Sequence, residues 1–194
     1  MQAILTDEFP LSKTRQVKGS RRLAREKAMQ VLYACKISGT EWEKMFDHIF
    51  YRKFNFGDNE IIPGKLLTED EIYEIEGDIP IVWTDLETDF AKTLIEKIII
   101  QSDYVEKLIT TYTEHWELDR IALIDRLLME IAIIELLNFP EIPPKVSINE
   151  AIDIAKKYST SKSGTFINGI LDSLNIKLKE EGLIIKEGRG LVEE

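Results

Sequence analysis

The chain has 194 residues and 22.4 kDa, the size of one domain or of one domain with an embellishment. Hydrophobic residues at 44% suffice for a core, while a single cysteine, Cys35, excludes an intramolecular disulfide framework and a multi-cysteine zinc site. The 35 acidic against 25 basic residues leave a net charge of −10, an average that counts against nucleic acid because phosphate contacts need Lys and Arg.

Residues 1–19 lack periodicity and contain Pro10 and Gly19, which reads as a basic, flexible N-terminal arm. Ser20 offers an N-cap, and Leu23, Ala24, Ala28, Val31, Leu32 and Cys35 recur at helical spacing. A first helix therefore runs over about 21–38 and stops before Gly39. Arg21, Arg22, Arg25 and Lys36 are left for its polar face, and Cys35 reads as a small buried hydrophobe rather than a reactive thiol. Trp42, Met45, Phe46, Ile49 and Phe50 define a second helix over about 41–55. The stretch 56–83, with Gly57, Pro63, Gly64, Gly77 and Pro80, reads as an irregular acidic insertion. It holds one short helix at 69–76 behind the capping box Thr68 to Glu71.

A second capping box, Thr84 to Glu87, opens one long helix to about Thr113, lined by Phe90, Leu94, Ile98, Val105, Leu108 and Ile109. A turn at 116–120 leads into a strongly apolar central helix over about 121–138, ended by Pro140, Pro143 and Pro144. Ser147 to Glu150 is the clearest capping box and starts a helix to about Tyr158. The polar loop 159–163 leads to a last helix over about 164–181, and residues 183–194 read as a frayed tail. With no alternating strand pattern, the expected fold class is all-α: a single-domain bundle of six to seven helices over residues 20–182.

The charge is uneven. Residues 11–27 carry seven cations (Lys13, Arg15, Lys18, Arg21, Arg22, Arg25 and Lys27) against Glu26, a local +6, so the rest of the chain sums to −16. Residues 67–91 alone hold nine carboxylates and no cation. This pattern describes a basic end on an acidic body. Those carboxylates have no ligand spacing, and neither do His48 and His115, so no metal, no cofactor and no catalytic activity are expected. No stretch is apolar enough for a membrane span and the N-terminus lacks a signal peptide's apolar core, which makes a cytoplasmic protein without membrane contact the expectation.

Two blocks carry a family resemblance. Residues 21–33, Arg-Arg-Leu-Ala-Arg-Glu-Lys-Ala-Met-Gln-Val-Leu-Tyr, resemble the R-R-x-A-R-x-x-A-x-Q-x-L-Y opening of the NusB family. Residues 116–174 resemble its C-terminal half, through Lys145-Val146-Ser147-Ile148-Asn149-Glu150-Ala151 and Phe166-Ile167-Asn168-Gly169-Ile170-Leu171-Asp172. The arm at 1–20 and the acidic connection at about 55–83 are longer than the family's usual pattern.

The resemblance implies a non-catalytic transcription antitermination factor that pairs with NusE, a small-subunit ribosomal protein. Together they hold single-stranded boxA RNA of ribosomal leader transcripts and join elongating RNA polymerase, supporting read-through of terminators and rRNA maturation. Arg21, Arg22 and Arg25, with Lys18 beside them, would track phosphates at the start of the first helix. Lys162 and Phe166, before and within the last helix, would add a cation and a stacking ring. Asp125 and Arg126 would face the protein partner, and an acidic body suits a basic ribosomal protein. Tyr33, Asn168 and Asp172 match the family but read as packing and local hydrogen-bonding residues. Monomer and homodimer both remain open, and a structural assembly helper of the small ribosomal subunit without boxA specificity is the alternative reading.

Overall fold

In the computed structural model, helix α1 (Arg21–Ser38) begins and ends where local chemistry requires. The Ser20 hydroxyl accepts the Leu23 N–H at 3.2 Å, and Gly39, at φ 69°, donates its N–H to the Cys35 carbonyl at 2.9 Å. Helix α2 (Trp42–Tyr51) buries Phe46 and Phe50, whose rings stack at 4.0 Å. The structure describes residues 17–51, 81–112 and 120–191. The arm before residue 17, the end of the second helix past residue 51, the helix at 69–76 with its insertion up to residue 80, the turn at 116–119 and residues 192–194 lie outside the described residues.

The end of the arm takes part in a minimal strand pair. Val17–Lys18 (β1) pair in parallel with Ile81–Val82 (β2), and Gly19 donates to the Val82 carbonyl at 2.8 Å. A Cβ on Gly19 would come within 2.8 Å of the Trp83 ring, so only glycine allows this approach. Trp83 in turn donates its Nε1–H to the Phe50 carbonyl at 3.2 Å. Two-residue strands are too short to show alternation, which is why the pattern missed them.

The capping box at Thr84 forms: the Thr84 N–H donates to Glu87 Oε2 at 2.8 Å and the Thr84 hydroxyl donates to the same carboxylate. The expected single long helix is two, α3 (Asp85–Ile100) and α4 (Ser102–Tyr112). The break falls at Gln101, whose φ of −103° and ψ of 14° leave the helical region. Its side-chain amide donates to Asn138 Oδ1 at 3.0 Å and receives the Asn138 amide in return at 3.4 Å. That partner lies 37 residues on, beyond any local signal.

Helix α5 (Leu123–Asn138) packs on α1, α3 and α4, and also on α6 (Pro144–Tyr158) and α7 (Ser163–Glu180). Ten consecutive residues, 127–136, are buried, as a helix surrounded on all sides requires. Each Leu or Ile among them contributes roughly 1.5–3 kcal/mol of transfer free energy. Seven α-helices among the described residues make an all-α domain.

Two expectations are corrected near the C-terminus. Helix α6 starts at Pro144, with Pro143 as its N-cap, because proline has no N–H to lose in a first turn. Ser147 is therefore interior, and the expected capping box at Ser147 does not form. Residues 183–191 are not frayed. Helix α7 closes on Gly182, at φ 71°, with the Leu183 N–H on the Leu178 carbonyl at 2.9 Å and the Gly182 N–H on Lys179 at 3.0 Å, and the chain folds back. The Lys186 ammonium caps the end of α5, donating to the carbonyls of Glu135 at 3.1 Å and Phe139 at 2.9 Å. The Glu187 N–H reaches the Pro140 carbonyl at 2.9 Å, and Gly190 sits where a Cβ would be 1.8 Å from that oxygen.

Burial pulls the Lys186 ammonium down to about 8 from its ordinary 10.5. Between those values unfolding takes up a proton, so raising the pH opposes unfolding. The stability of the parent chain relative to Lys186→Met is expected to rise over this window, measured by urea unfolding. A difference that is flat or falling with pH would contradict the burial.

Candidate nucleic-acid interface

The three arginines of α1 are held by carboxylates from α5, from α6 and from the turn between them. Arg21, on the first turn of α1, is half exposed and pairs with Glu141 at 3.1 Å, with its guanidinium 5.0 Å from the Phe90 ring centre. Arg22 is the most exposed of the three arginines. Its Nε lies 3.1 Å from both Glu150 oxygens, and its Nη2 lies 2.8 Å from Glu150 and 3.4 Å from Asp153. Lower on the same helix, Glu26 accepts from Lys157 at 2.7 Å and from Tyr158 at 2.5 Å, and Gln30 donates to the Tyr158 hydroxyl at 3.1 Å. Burial pushes the Glu26 carboxyl up, but the bonds from Lys157 and Tyr158 outweigh it and leave it below its usual range.

These contacts run in register, residues 22, 26 and 30 of α1 meeting 150, 157 and 158 of α6. The two helices therefore point the same way, and the shared edge extends about 12 Å at 1.5 Å per residue. Lys156 and Lys157 are exposed on it, and Lys162 follows just past its end, also exposed. The structure thus sets Arg22 on this edge, leaves Arg21 beside its start on Glu141 and Lys162 in the loop past the end of α6, and adds two lysines that the helical pattern alone did not single out. Their signal in the sequence is only the adjacent pair before Tyr158. Lys18 is exposed on β1, at the same end of the chain as α1 begins.

Arg25 is a correction. It is 4% exposed, with its Nε 2.5 Å from Glu135 Oε1 and its Nη2 3.0 Å from Oε2. The Ser147 hydroxyl donates to the same carboxylate at 2.8 Å, and the guanidinium lies 5.2 Å from the Phe90 ring centre. A guanidinium so enclosed holds the core together and does not meet solvent. Position i+4 from Arg21 placed it on the polar face, but α5 and α6 cover that face with a buried acid.

Phe166 is half-buried against the core, and Ser163 is buried, its hydroxyl bonded to Ser159 and Thr160 at 2.9 and 2.8 Å. The loop before α7 therefore spends this hydroxyl on its own closure. Asn168 donates to Asp172 at 2.7 Å, the local bond expected, whereas Tyr33 is exposed rather than packed. Asp125, expected to face a protein partner, is 6% exposed, and its Oδ1 has no hydrogen-bond partner among the described residues. Arg126 bridges Glu130 at 3.0 Å and Glu106 at 3.1 Å, between α5 and α4. Both side chains are engaged in or covered by this chain's own packing. Among the described residues no helix is long and apolar enough to cross a membrane.

Removing one member of a buried ion pair strands the other. Arg25→Ala is expected to lower stability by about 3–5 kcal/mol, while Arg25→Met with Glu135→Leu costs less than the single change. Urea unfolding checks this, and a single variant within 1 kcal/mol of the parent, by about that margin, would contradict the assignment.

The NusB family matches residues 81–175. The transcription antitermination protein NusB of Chloroherpeton thalassium is 40% identical over 174 residues, which is 90% of this chain and 70% of that protein. Its counterpart from Thermodesulfovibrio yellowstonii is 38% identical over 154 residues, 79% of this chain and 90% of that protein. Among solved structures, T. maritima NusB superposes with a TM-score of 0.63 at 28% identity, covering 85% of this chain and 99% of its own. A structure of antitermination factors NusB and NusE in complex with dsRNA shares the fold with a TM-score of 0.59 at 20% identity, covering 81% and 96%. With two relatives well above 30% identity matched over most of their length, the chain belongs to the NusB family of transcription antitermination proteins.

Proposed function

We propose that this protein is an RNA-binding antitermination factor that, with a NusE-type ribosomal protein, holds boxA-type single-stranded RNA of ribosomal leader transcripts. In the cytoplasm that complex joins RNA polymerase and supports elongation through terminators and rRNA maturation. The observation that carries this reading is the exposed edge of Arg21, Arg22, Lys156, Lys157 and Lys162, set at the start of α1 and the end of α6. The fold neighbour solved with NusE and double-stranded RNA supports it. The buried Arg25 orders the edge from below, and Phe166, half-buried on the first turn of α7, leaves part of a ring for stacking.

The edge is neutralised in the free chain, so RNA binding is an exchange. A phosphate approaching Arg22 takes over the fork that Glu150 now occupies, replacing one charge-assisted pair by another. Non-specific anions gain little from such an exchange, whereas an RNA that fits the whole edge gains at several cations together. Asp125 and Arg126 contribute to the protein partner's surface by shaping the α4 and α5 seam, and acidic neighbours favour encounter with a basic ribosomal protein.

The reading is tested by titrating boxA-type and scrambled RNA, with and without NusE, over a salt series. Arg21→Ala with Arg22→Ala is expected to weaken boxA binding by about 10-fold per arginine and to flatten the salt dependence. Unchanged affinity would overturn the arginine assignment, and boxA competing no better than scrambled RNA would favour the assembly-helper reading. Glu150→Gln, which keeps a hydrogen-bonding group but removes the competing charge, is expected to raise affinity by roughly 2- to 5-fold. A drop instead would mean that Glu150 chiefly aims Arg22 rather than masking it.

A further inference from the structure

The C-terminal segment 183–191 is held more firmly than its apolar content explains. Only Ile184 among its apolar side chains packs on the core, while Leu183, Ile185 and Leu191 are exposed. Its course is set instead by polar fastenings: Lys186 on two carbonyls at the end of α5, the Glu187 N–H on Pro140, and Gly190 pressed against the same carbonyl. Between those fixed points stands Arg189, in a turn of 3-10 helix at Gly188–Leu191. Arg189 lines one surface cleft together with Arg21, Glu141, Glu187 and Gly188. It is exposed, and it forms no ion pair or hydrogen bond among the described residues. Arg21 and Arg22, by contrast, each carry a carboxylate.

We infer that this C-terminal strap is part of the RNA interface, with Arg189 beside Arg21 as a further contact to the phosphate backbone of single-stranded RNA. The inference rests on the RNA-binding reading above and extends its edge beyond α1 and α6. An unpaired guanidinium takes a phosphate without first releasing an internal partner, so Arg189 gains the full charge-assisted fork. The cleft itself is balanced, two arginines against two glutamates, and does not gather free anions. Arg189 acts on a polyanion already held along Arg22 and the lysines of α6. The fastening of the backbone matters for the same reason: a cation on a loose tail would lose chain entropy on binding, whereas Arg189, on a backbone held at Glu187 and Gly190, loses only its side-chain freedom.

The test compares boxA-type RNA binding of the full-length parent with Arg189→Gln, Arg189→Lys and Arg189→Glu over a salt series. Lys107→Gln on α4, a helix that packs on α3, α5 and α7, serves as a charge control. Arg189→Gln is expected to weaken binding about 3- to 10-fold and to reduce the salt slope by roughly 0.7, the loss of one phosphate contact to a single strand. Arg189→Lys should keep the slope, Arg189→Glu should weaken binding further, and Lys107→Gln should leave both unchanged. If Arg189→Gln matches the parent in affinity and slope while Arg21→Ala with Arg22→Ala weakens binding, the strap is a packing element only and the inference falls. If Lys107→Gln loses as much as Arg189→Gln, the effect is one of net charge and the inference also falls. If the parent binds no RNA, the functional reading itself fails and takes this one with it.

Discussion

The buried pair of Arg25 and Glu135 is the point at which four helices are tied together. Arg25 comes from α1, Glu135 from the last turns of α5, the Ser147 hydroxyl from α6 and the Phe90 ring from α3. A charge in that position is tolerated because one guanidinium edge forks onto both Glu135 oxygens, Nη1 lies 3.9 Å from Glu150, and Ser147 donates to the carboxylate as well. The start of α1 at the candidate interface is anchored by this arrangement. It joins α1 to α5 beside the turn that holds Glu141 for Arg21 and the first turns of α6 that hold Glu150 for Arg22. The Glu135 backbone carbonyl also receives Lys186, which links the same residue to the C-terminal strap.

The second consequence is electrostatic. A stretch with local charge +6 reads in the sequence as an open basic end, yet in the fold each arginine of α1 meets a carboxylate contributed from more than a hundred residues away. Along the edge Arg21, Arg22, Lys156 and Lys157 each carry a carboxylate, and Lys162 is exposed just past its end. Such a surface responds to a partner that engages several cations in register more than to isolated anions, a route to selectivity that does not require many base-edge contacts. Arg189, which lines one cleft with Arg21, is the arginine there that forms no ion pair among the described residues.

Much of the fold was legible in short-range signals. Ser20 and Gly39 bound α1 as their side-chain chemistry and backbone freedom demand, and Thr84 with Glu87 starts α3. The apolar run of α5 announced a central helix. The misreadings share a cause. Gln101 breaks a helix because Asn138 takes its amide, and Ser147 abandons a capping role because Glu135 takes its hydroxyl. Residues 183–191 hold a fixed course because Pro140 and the end of α5 offer unpaired carbonyls. In each case a polar group had a local use and a distant one, and the distant partner lay in a part-buried or buried site, where an unmet hydrogen bond costs more than at the surface.

The sequence alone determined the helical class, the family resemblance and the presence of cations at the start of α1, since all three rest on residue type and spacing along the chain. Only the tertiary structure decided which of those cations reach solvent. The net charge of −10 counted against nucleic acid, and the local +6 counted for it, but neither number knows where a side chain's partner lies. Arg25 was withdrawn into the core, Arg22 was paired with Glu150, and Arg189 was brought alongside Arg21 by a strap that looked like a loose end. Charge is a property of residues, whereas its availability depends on burial and pairing, and these exist only once the helices have packed.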